Sequence, residues 1–215
     1  MIKNALAVAA LCSAIPAFAA TNLVTDGSFE SAGLAAGTFD TFTGTDLPGW
    51  LALSDIEVRN NLVGTAQDGN DFVELDTTQN SSMATSFNTV KGQAYALTFY
   101  YSGRPASTAF NSAFPGGVVP GTSDGLSVTV GGKTVNLTSP TNTSADNLWT
   151  AYTASFIGTG KSMSLLFAAT GTDDSYGSSL DNVNVIAVPE PATMAMTAAG
   201  LLGLMGLGVR RQRSR

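Results

Sequence analysis

Between residues 20 and 188 the chain alternates short runs of β-forming residues with clusters of glycine, asparagine, aspartate, serine and threonine. This spacing is typical of an all-β domain, because a helical face would need longer segments with a period of 3.6 residues. Residues 94–101 alternate with a period of two, which predicts a strand with one face in the core. The residues on that face are Tyr95, Leu97, Phe99 and Tyr101.

Short runs of this kind predict eleven strands, and a Gly131-Gly132 pair between two of them predicts a tight hairpin. The predicted strands cover residues 22–24, 28–30, 56–59, 71–76, 82–87, 94–101, 126–130, 133–137, 150–157, 162–170 and 179–187. So many short strands in one unit favour a two-sheet β-sandwich of the jelly-roll type. A long loop over residues 103–122 is expected to cover one end of the sandwich or to line a site.

The net charge, the single cysteine and the absence of histidine exclude several functions for residues 20–188, which we call the body. Residues 20–188 contain five basic and fifteen acidic side chains, which gives a net charge of −10 and argues against nucleic-acid binding. Cys12 lies near the N-terminus and is the single cysteine, so the body has neither a disulfide nor a thiolate. The absence of histidine removes the commonest general base and the commonest transition-metal ligand.

Residues 1–19 have the pattern of a secretory signal peptide. Lys3 provides the positive start, an apolar stretch follows, and the sequence Ala17-Phe18-Ala19 fits a small-x-small cleavage site. We therefore expect an N-terminal signal helix, cleavage after Ala19, and an exported body that spans residues 20–188.

The C-terminal tail, residues 189–215, has three parts in a fixed order. Pro189, Glu190 and Pro191 come first, and the uncharged residues 192–209 follow with the length of a single transmembrane helix. A cluster of arginines closes the chain and is expected to stay in the cytoplasm. These arginines are Arg210, Arg211, Arg213 and Arg215. The tail resembles a PEP-CTERM sorting signal, which implies processing by an exosortase-type membrane protease in a Gram-negative bacterium that makes exopolysaccharide.

The body resembles galactose-binding-like and carbohydrate-binding-module jelly rolls. The segments that carry this resemblance are residues 22–30, 48–50, 68–76, 92–99 and 180–183. In such jelly rolls the first and last strands lie side by side, and the resemblance implies a structural calcium ion held by Glu30 and Asp181, with Asp26 as a weaker ligand. The alternative is that these acids are solvated or stabilise turns.

The same resemblance implies a sugar site made of aromatic and polar side chains. The candidates are Tyr100, Arg104, Trp50 and Tyr176, with Tyr100 and Arg104 favoured because they adjoin the long loop. For each aromatic ring the alternative is burial in the core. Glu74 and Asp76 share a strand face and could suggest a glycosidase, but catalytic carboxylates of that class flank a cleft from different elements.

Together these observations predict a non-enzymatic exported protein without catalytic residues. We expect it to pass transiently through the inner membrane and then to associate with extracellular polysaccharide, the biofilm matrix or the cell surface by binding carbohydrate. Two alternatives stay open, a structural matrix or adhesion protein that binds other proteins and, less favoured, a glycan-active enzyme.

Overall fold

The computed structural model describes residues 21–106, 124–139, 141–173 and 175–189, and ten strands lie within these ranges. They are β1 (Phe39–Gly44), β2 (Leu51–Asn60), β3 (Asp71–Glu74), β4 (Ser82–Asn88), β5 (Ala94–Ser102), β6 (Asp124–Val130), β7 (Lys133–Thr138), β8 (Thr150–Ile157), β9 (Ser162–Gly171) and β10 (Ser179–Ala187). A turn of 3-10 helix over Glu30–Ala32 precedes β1. The expected all-β class is confirmed.

The strands form a curled antiparallel sheet in the order β7-β6-β9-β4-β2-β3-β10-β5-β8, with β1 paired to β2. Strand β2 is the place where the sheet folds over. Its first residues, Leu51 and Ala52, pair with β4, whereas its last four residues, 57–60, pair with β3. The result is a first sheet, β7-β6-β9-β4-β2, that packs on a second sheet, β2-β3-β10-β5-β8. This is the predicted sandwich, with one strand common to both layers.

The core lies between the two layers and is apolar. Leu97 and Phe99 on β5 are fully buried and face Leu165 and Phe167, which are fully buried on β9. The rings of Phe99 and Phe167 meet edge to face, with centroids 5.1 Å apart. The predicted core face of β5 is confirmed, since Tyr95 and Tyr101 are buried with its other two members. Each such side chain contributes about 1.5–3 kcal/mol when it leaves water.

The predicted Gly131-Gly132 hairpin joins β6 to β7. Both glycines have positive φ, 58° and 75°, and the pair Val130 and Lys133 closes the turn. A two-residue loop with positive φ at both positions matches the right-handed twist of the strands, and glycine adopts it without steric cost.

The opening segment differs from the prediction, because residues 22–24 and 28–30 are not strands. Asn22 takes the place of a ladder residue: its Nδ2 donates to the carbonyl of Val183 at 3.0 Å, and its Oδ1 accepts from the amide of Val185 at 2.8 Å. Asp26 and Phe29 have positive φ, so the chain turns here instead of extending. The segment still lies beside β10, and Leu23 donates to the carbonyl of Val185 at 2.8 Å.

Strand β1 was not predicted, and β2 begins five residues earlier than expected. Strand β1 carries few apolar residues and lies mostly exposed at the margin of β2, so its sequence shows no clear hydrophobic alternation. The predicted signal peptide, the apolar span 192–209, the arginine cluster and most of the loop 103–122 lie outside the described residues. Within the part of the chain that the structure describes, no helix is long and apolar enough to cross a membrane.

Candidate functional site

Glu30 and Asp181 both hold the C-terminal part of one loop, the connection between β2 and β3 over residues 61–70. Glu30 Oε1 accepts from the backbone amides of Asn70 and Asp71, each at 2.7 Å. Asp181 Oδ2 accepts from the amides of Gln67 and Asp68 at 2.7 and 3.0 Å. The two predicted calcium ligands are therefore joined through this loop, which they fix over the second sheet.

Asp181 is a fully buried carboxylate on β10. Burial raises its pKa to about 7, although the amides of Asp68, Gln67 and Asn182 donate to the side chain and favour its ionised form. The side chain of Asn182 also donates to Gln67 Oε1 at 2.6 Å. Loop and strand are thus connected by polar contacts on both sides of Asp181.

Asp26 stabilises the opening turn, since its carboxylate accepts from the amide and the hydroxyl of Ser31. Near it lies Asp71, a buried side chain that the sequence did not single out and whose Oδ1 has no hydrogen-bond partner. Burial, together with the charges of Glu30 and Asp26, raises the pKa of Asp71 to about 6. Among the described residues no group of three or more acidic, histidine or cysteine side chains is arranged to hold a metal ion. Calcium binding stays a prediction.

Arg104, a predicted sugar contact, lies in a buried charge cluster. Its Nη1 donates to Glu74 Oε2 at 2.7 Å, and Arg59 on β2 forms a second ion pair with the same oxygen. Arg59 also pairs with Glu57, two residues before it on the same strand. The other oxygen of Glu74 accepts from the amide of Gly177 at 2.6 Å. We call Glu57, Arg59, Glu74 and Arg104 the charge cluster.

Desolvation is the dominant effect in the charge cluster. Burial raises the pKa of Glu74, and the guanidinium groups of Arg59 and Arg104 act in the opposite direction. Burial likewise lowers the pKa of Arg104, while Glu74 counteracts it. Tyr176 covers the cluster, with its ring centroid 5.3 Å from Arg104 Cζ. The guanidinium of Arg104 is thus engaged inside the protein, and Tyr176 packs on it.

Trp50 lies in the core instead of at the surface. Its ring packs against Phe29 and Phe167, with centroids 5.4 and 6.2 Å away, and its Nε1 donates to the carbonyl of Asp26 at 3.0 Å. A ring enclosed in this way offers no face to a ligand, so we remove Trp50 from the candidate sugar contacts.

Tyr100 lies on the outer face of the second sheet, directly between Asp181 of β10 and Ala151 of β8. Thr98 and its partners Asn184 and Thr153 come next on the same face, because residues two apart on a strand point to the same side. We call this set the Tyr100 face: Thr98, Tyr100, Ala151, Thr153, Asp181 and Asn184. Tyr100 is half-buried, and its neighbours on this face are mostly small.

Amide side chains border the Tyr100 face. Asn184 donates to the backbone carbonyl of Asn182 at 3.1 Å, and Asn182 reaches Gln67 on the covering loop. On the far side of the loop, Trp149 meets Phe72 edge to face at 5.9 Å and donates from Nε1 to the carbonyl of Thr65 at 3.0 Å. The face therefore combines an aromatic ring with amide groups that can donate and accept hydrogen bonds.

Two family matches cover this chain. The family described as a protein of unknown function, DUF642, matches residues 22–186, which include the whole sandwich. The chain belongs to the DUF642 family. The PEP-CTERM protein-sorting motif matches residues 187–213, which confirms the resemblance of the tail, and the chain is therefore an exported protein with a sorting signal. No curated protein matches the sequence.

Solved structures similar to this DUF642 protein include several carbohydrate-binding modules. A family 61 module in complex with β-1,4-galactotriose is 12% identical, with 78% of this chain and 99% of that chain covered and a TM-score of 0.47. The family 35 module from Paenibacillus barcinonensis is 17% identical, with 71% and 100% covered and a TM-score of 0.41. A family 16 module is 16% identical, with 77% and 99% covered and a TM-score of 0.43. The likeness is one of β-sandwich architecture.

Proposed function

We propose that this exported DUF642 protein binds carbohydrate through the Tyr100 face and thereby associates with extracellular polysaccharide or the cell surface. The observation that carries the proposal is the position of Tyr100 among small side chains, with the amides of Asn182, Asn184 and Gln67 beside it. A sugar ring has apolar C–H faces and a rim of hydroxyl groups. An aromatic platform with bordering amides complements both features.

The tail supports the extracellular part of the proposal. A sorting motif over residues 187–213 directs the chain through the membrane, where an exosortase-type protease would process it. The protein would then remain in the inner membrane only transiently and reach the cell surface or matrix of a Gram-negative bacterium. A net charge of −10 in the body suits solubility outside the cell and favours neutral or cation-bridged glycans over strongly anionic ones.

The proposed role is non-enzymatic, and the state of Glu74 supports this. The sequence placed Glu74 and Asp76 on one strand as the acids to consider for glycosidase chemistry. Glu74 is fully buried, and Arg59, Arg104 and Gly177 engage both of its oxygens. A carboxylate held in this way is unavailable to protonate or attack a sugar.

Binding to a glycan array and to the producer's own exopolysaccharide tests the proposal, using the body (residues 20–188) with and without calcium. Tyr100→Ala should weaken binding by about tenfold, because it removes the stacking platform, whereas Tyr100→Phe should retain most of the affinity. Ser164→Ala, on the outer face of the first sheet, is the matched control. Wild-type affinity in Tyr100→Ala, or no glycan bound by the wild type, would refute the proposal.

Calcium belongs to the same proposal as a structural ion near Glu30. If it binds, calcium should raise the melting temperature of the wild type and have no such effect on Glu30→Gln, which keeps the size of the side chain but loses its charge. An equal response in both proteins would remove Glu30 from the ligand set.

A second candidate function, a structural or adhesive role in which the sandwich binds protein, is favoured by two exposed leucines. Leu51 and Leu53 are 43% and 58% exposed on the outer face of the first sheet. Replacing both by serine should abolish capture of a protein partner and leave glycan binding unchanged, so the two candidates are separable.

A further inference from the structure

Among the described residues, the outer edge of β8 carries none of the features that usually protect a sheet edge. Strand β8 is the last strand of the second sheet, and among the described strands none pairs with its outer side. It forms eight consecutive pairs with β5, from Thr150 to Ile157, without a register shift. Its sequence contains no charge, proline or glycine and is rich in β-forming residues.

The other two edges of the sandwich differ from β8. Strand β1 carries Asp40 and has an irregularity between Phe42 and Gly44. Strand β7 begins with Lys133 and has six residues. Charged side chains, irregular pairing and short length all hinder the addition of another strand. The protection is therefore absent at one edge in particular, that of β8.

The charge distribution makes this edge the place where two copies of the chain can meet. The body has a net charge of −10, so two copies repel each other unless they meet on an uncharged surface. The chain is uncharged from Asn147 to Gly160, which covers β8 and both of its flanks. Exposed apolar side chains lie at the two ends of this segment, Leu148 at 52% and Ile157 at 60%.

We propose that β8 pairs antiparallel with β8 of a second copy of this chain and joins two sandwiches into one continuous sheet. An antiparallel pair of identical strands has a two-fold axis, so the same surface serves both partners. For the outer faces of both copies to lie on the same side of the joined sheet, one residue of β8 must pair with the same residue of the second copy across the two-fold axis. The registers that pair the most residues of β8 place Thr153 or Ala154 there, because these are its two middle residues.

This pairing has a consequence for the Tyr100 face, which includes Ala151 and Thr153 of β8. The faces of the two copies would lie on the same side of the joined sheet, one on each side of the axis. A polysaccharide could then engage both at once, and its apparent affinity would exceed that of one face. The dimer itself does not depend on the proposed glycan binding.

Disulfide trapping of the full-length chain tests the proposal directly, because the single native cysteine, Cys12, can be replaced by serine. Single cysteines at Thr153 and Ala154 lie at or beside the axis, where Cα atoms of the two copies come within the reach of a disulfide. Cysteines at the strand ends, Thr150 and Ile157, would lie about 20 Å from their counterparts by strand rise. Dimer on a non-reducing gel should peak at the middle positions.

Asn136→Cys is the matched control, since Asn136 is an exposed position on the opposite edge strand, β7. It should remain monomeric. A complementary variant, Thr153→Lys, places like charges opposite each other at the axis and should weaken association of the exported protein by at least about tenfold in sedimentation, while Asn136→Lys leaves it unchanged. The proposal fails if neither middle cysteine gives a dimer, or if the control cysteine gives as much. A glycan-binding failure with an intact dimer would affect only the proposed function.

Discussion

At the scale of single residues, the charge cluster is the feature with the largest energetic consequence. Glu74 is fully buried, and the two arginines that contact it are almost as buried. Removing one member of a buried ion pair leaves the other charges without compensation in a medium of low polarity. Glu74, the shared partner of both arginines, is therefore the member whose loss should cost most.

The substitution Glu74→Gln should lower the free energy of unfolding by about 3–5 kcal/mol, because Arg59 and Arg104 would stay buried without their carboxylate. Glu57→Gln is the comparison, since Glu57 is 14% exposed and Arg59 keeps Glu74 as a partner when Glu57 loses its charge; it should cost less, about 1–2 kcal/mol. Urea denaturation monitored by tryptophan fluorescence measures both. A loss for Glu74→Gln no larger than that for Glu57→Gln would show that the fold tolerates Arg59 and Arg104 without the Glu74 carboxylate.

The raised pKa of Asp71 predicts how the stability of the fold depends on pH. Its pKa is about 6 in the folded protein and 3.8 in an unperturbed aspartate, so the folded state binds more protons between these values. The contribution of Asp71 to unfolding free energy is therefore greatest at low pH, falls as pH rises from about 4, and reaches its minimum above about 6. Asp181, with a pKa of about 7, acts in the same direction.

Asp71→Asn should flatten this dependence. In EDTA, the melting temperature of the wild type should fall relative to that of the variant as the pH rises from 4.5 to 7.5. Thermal denaturation at several pH values makes the comparison, and parallel curves for the two proteins would exclude Asp71 as the titrating group.

Sequence patterns predicted the burial and contacts of some side chains but not of others. The core face of β5 followed from strict alternation. The burial of Arg104 and Trp50 did not, because both depend on which distant segments cover them: Glu74 lies thirty residues before Arg104, and Asp26 accepts the Trp50 hydrogen bond from another turn. Asp71 was missed for the same reason.

At the scale of elements, the contact between the opening segment and β10 explains a motif that looked like a simple turn. The amide of Val183 donates to the carbonyl of Gly27 at 2.8 Å. A Cβ atom on Gly27 would lie only 2.0 Å from the Val183 carbonyl oxygen. Glycine is required at this position by proximity to the closing strand, and Asp26 forms the turn.

Gly27→Ala should therefore destabilise the protein by about 3 kcal/mol or more, because the opening segment must separate from β10. Gly33→Ala is a suitable control: Gly33 has φ of +65°, but no atom lies within 4 Å of an added Cβ. It should cost about 1 kcal/mol from backbone conformation alone. Chemical denaturation would detect the difference, and similar values for both variants would contradict the contact.

Element boundaries were predictable where turns have their own chemistry. The Gly131-Gly132 hairpin and the strands β5, β8 and β10 matched the expected positions within one residue. Strand β1 and the first half of β2 were not predicted, because their own sequences lack a strong apolar alternation and their pairing with each other is irregular between Phe42 and Gly44. The sequence predicts strands in the opening segment, whereas the structure has side-chain hydrogen bonds from Asn22 in place of a backbone ladder. Hydrophobic patterns do not reveal such bonds.

At the scale of the whole molecule, the sandwich and the tail have separate tasks. We expect that Glu190→Ala within Pro189-Glu190-Pro191 blocks processing, so that the chain stays in the membrane fraction at its unprocessed size. Lys161→Ala, at an exposed position of the body, is the control and should be processed normally. Immunoblots of cell fractions from the natural host decide this, and normal release of the Glu190 variant would separate the motif from processing.

The strand that belongs to both sheets also shapes how the protein responds to pulling. Strand β2 pairs with β4 at its first residues and with β3 at its last, so neither layer can detach without breaking it. The opening segment runs antiparallel to β10, with Leu23 bonded to Val185 and Gly27 bonded to Val183, so tension applied through the two ends opens these hydrogen bonds one after another from their shared end. Pulling on both ends should therefore release the opening segment first, while β2 still holds the two layers together.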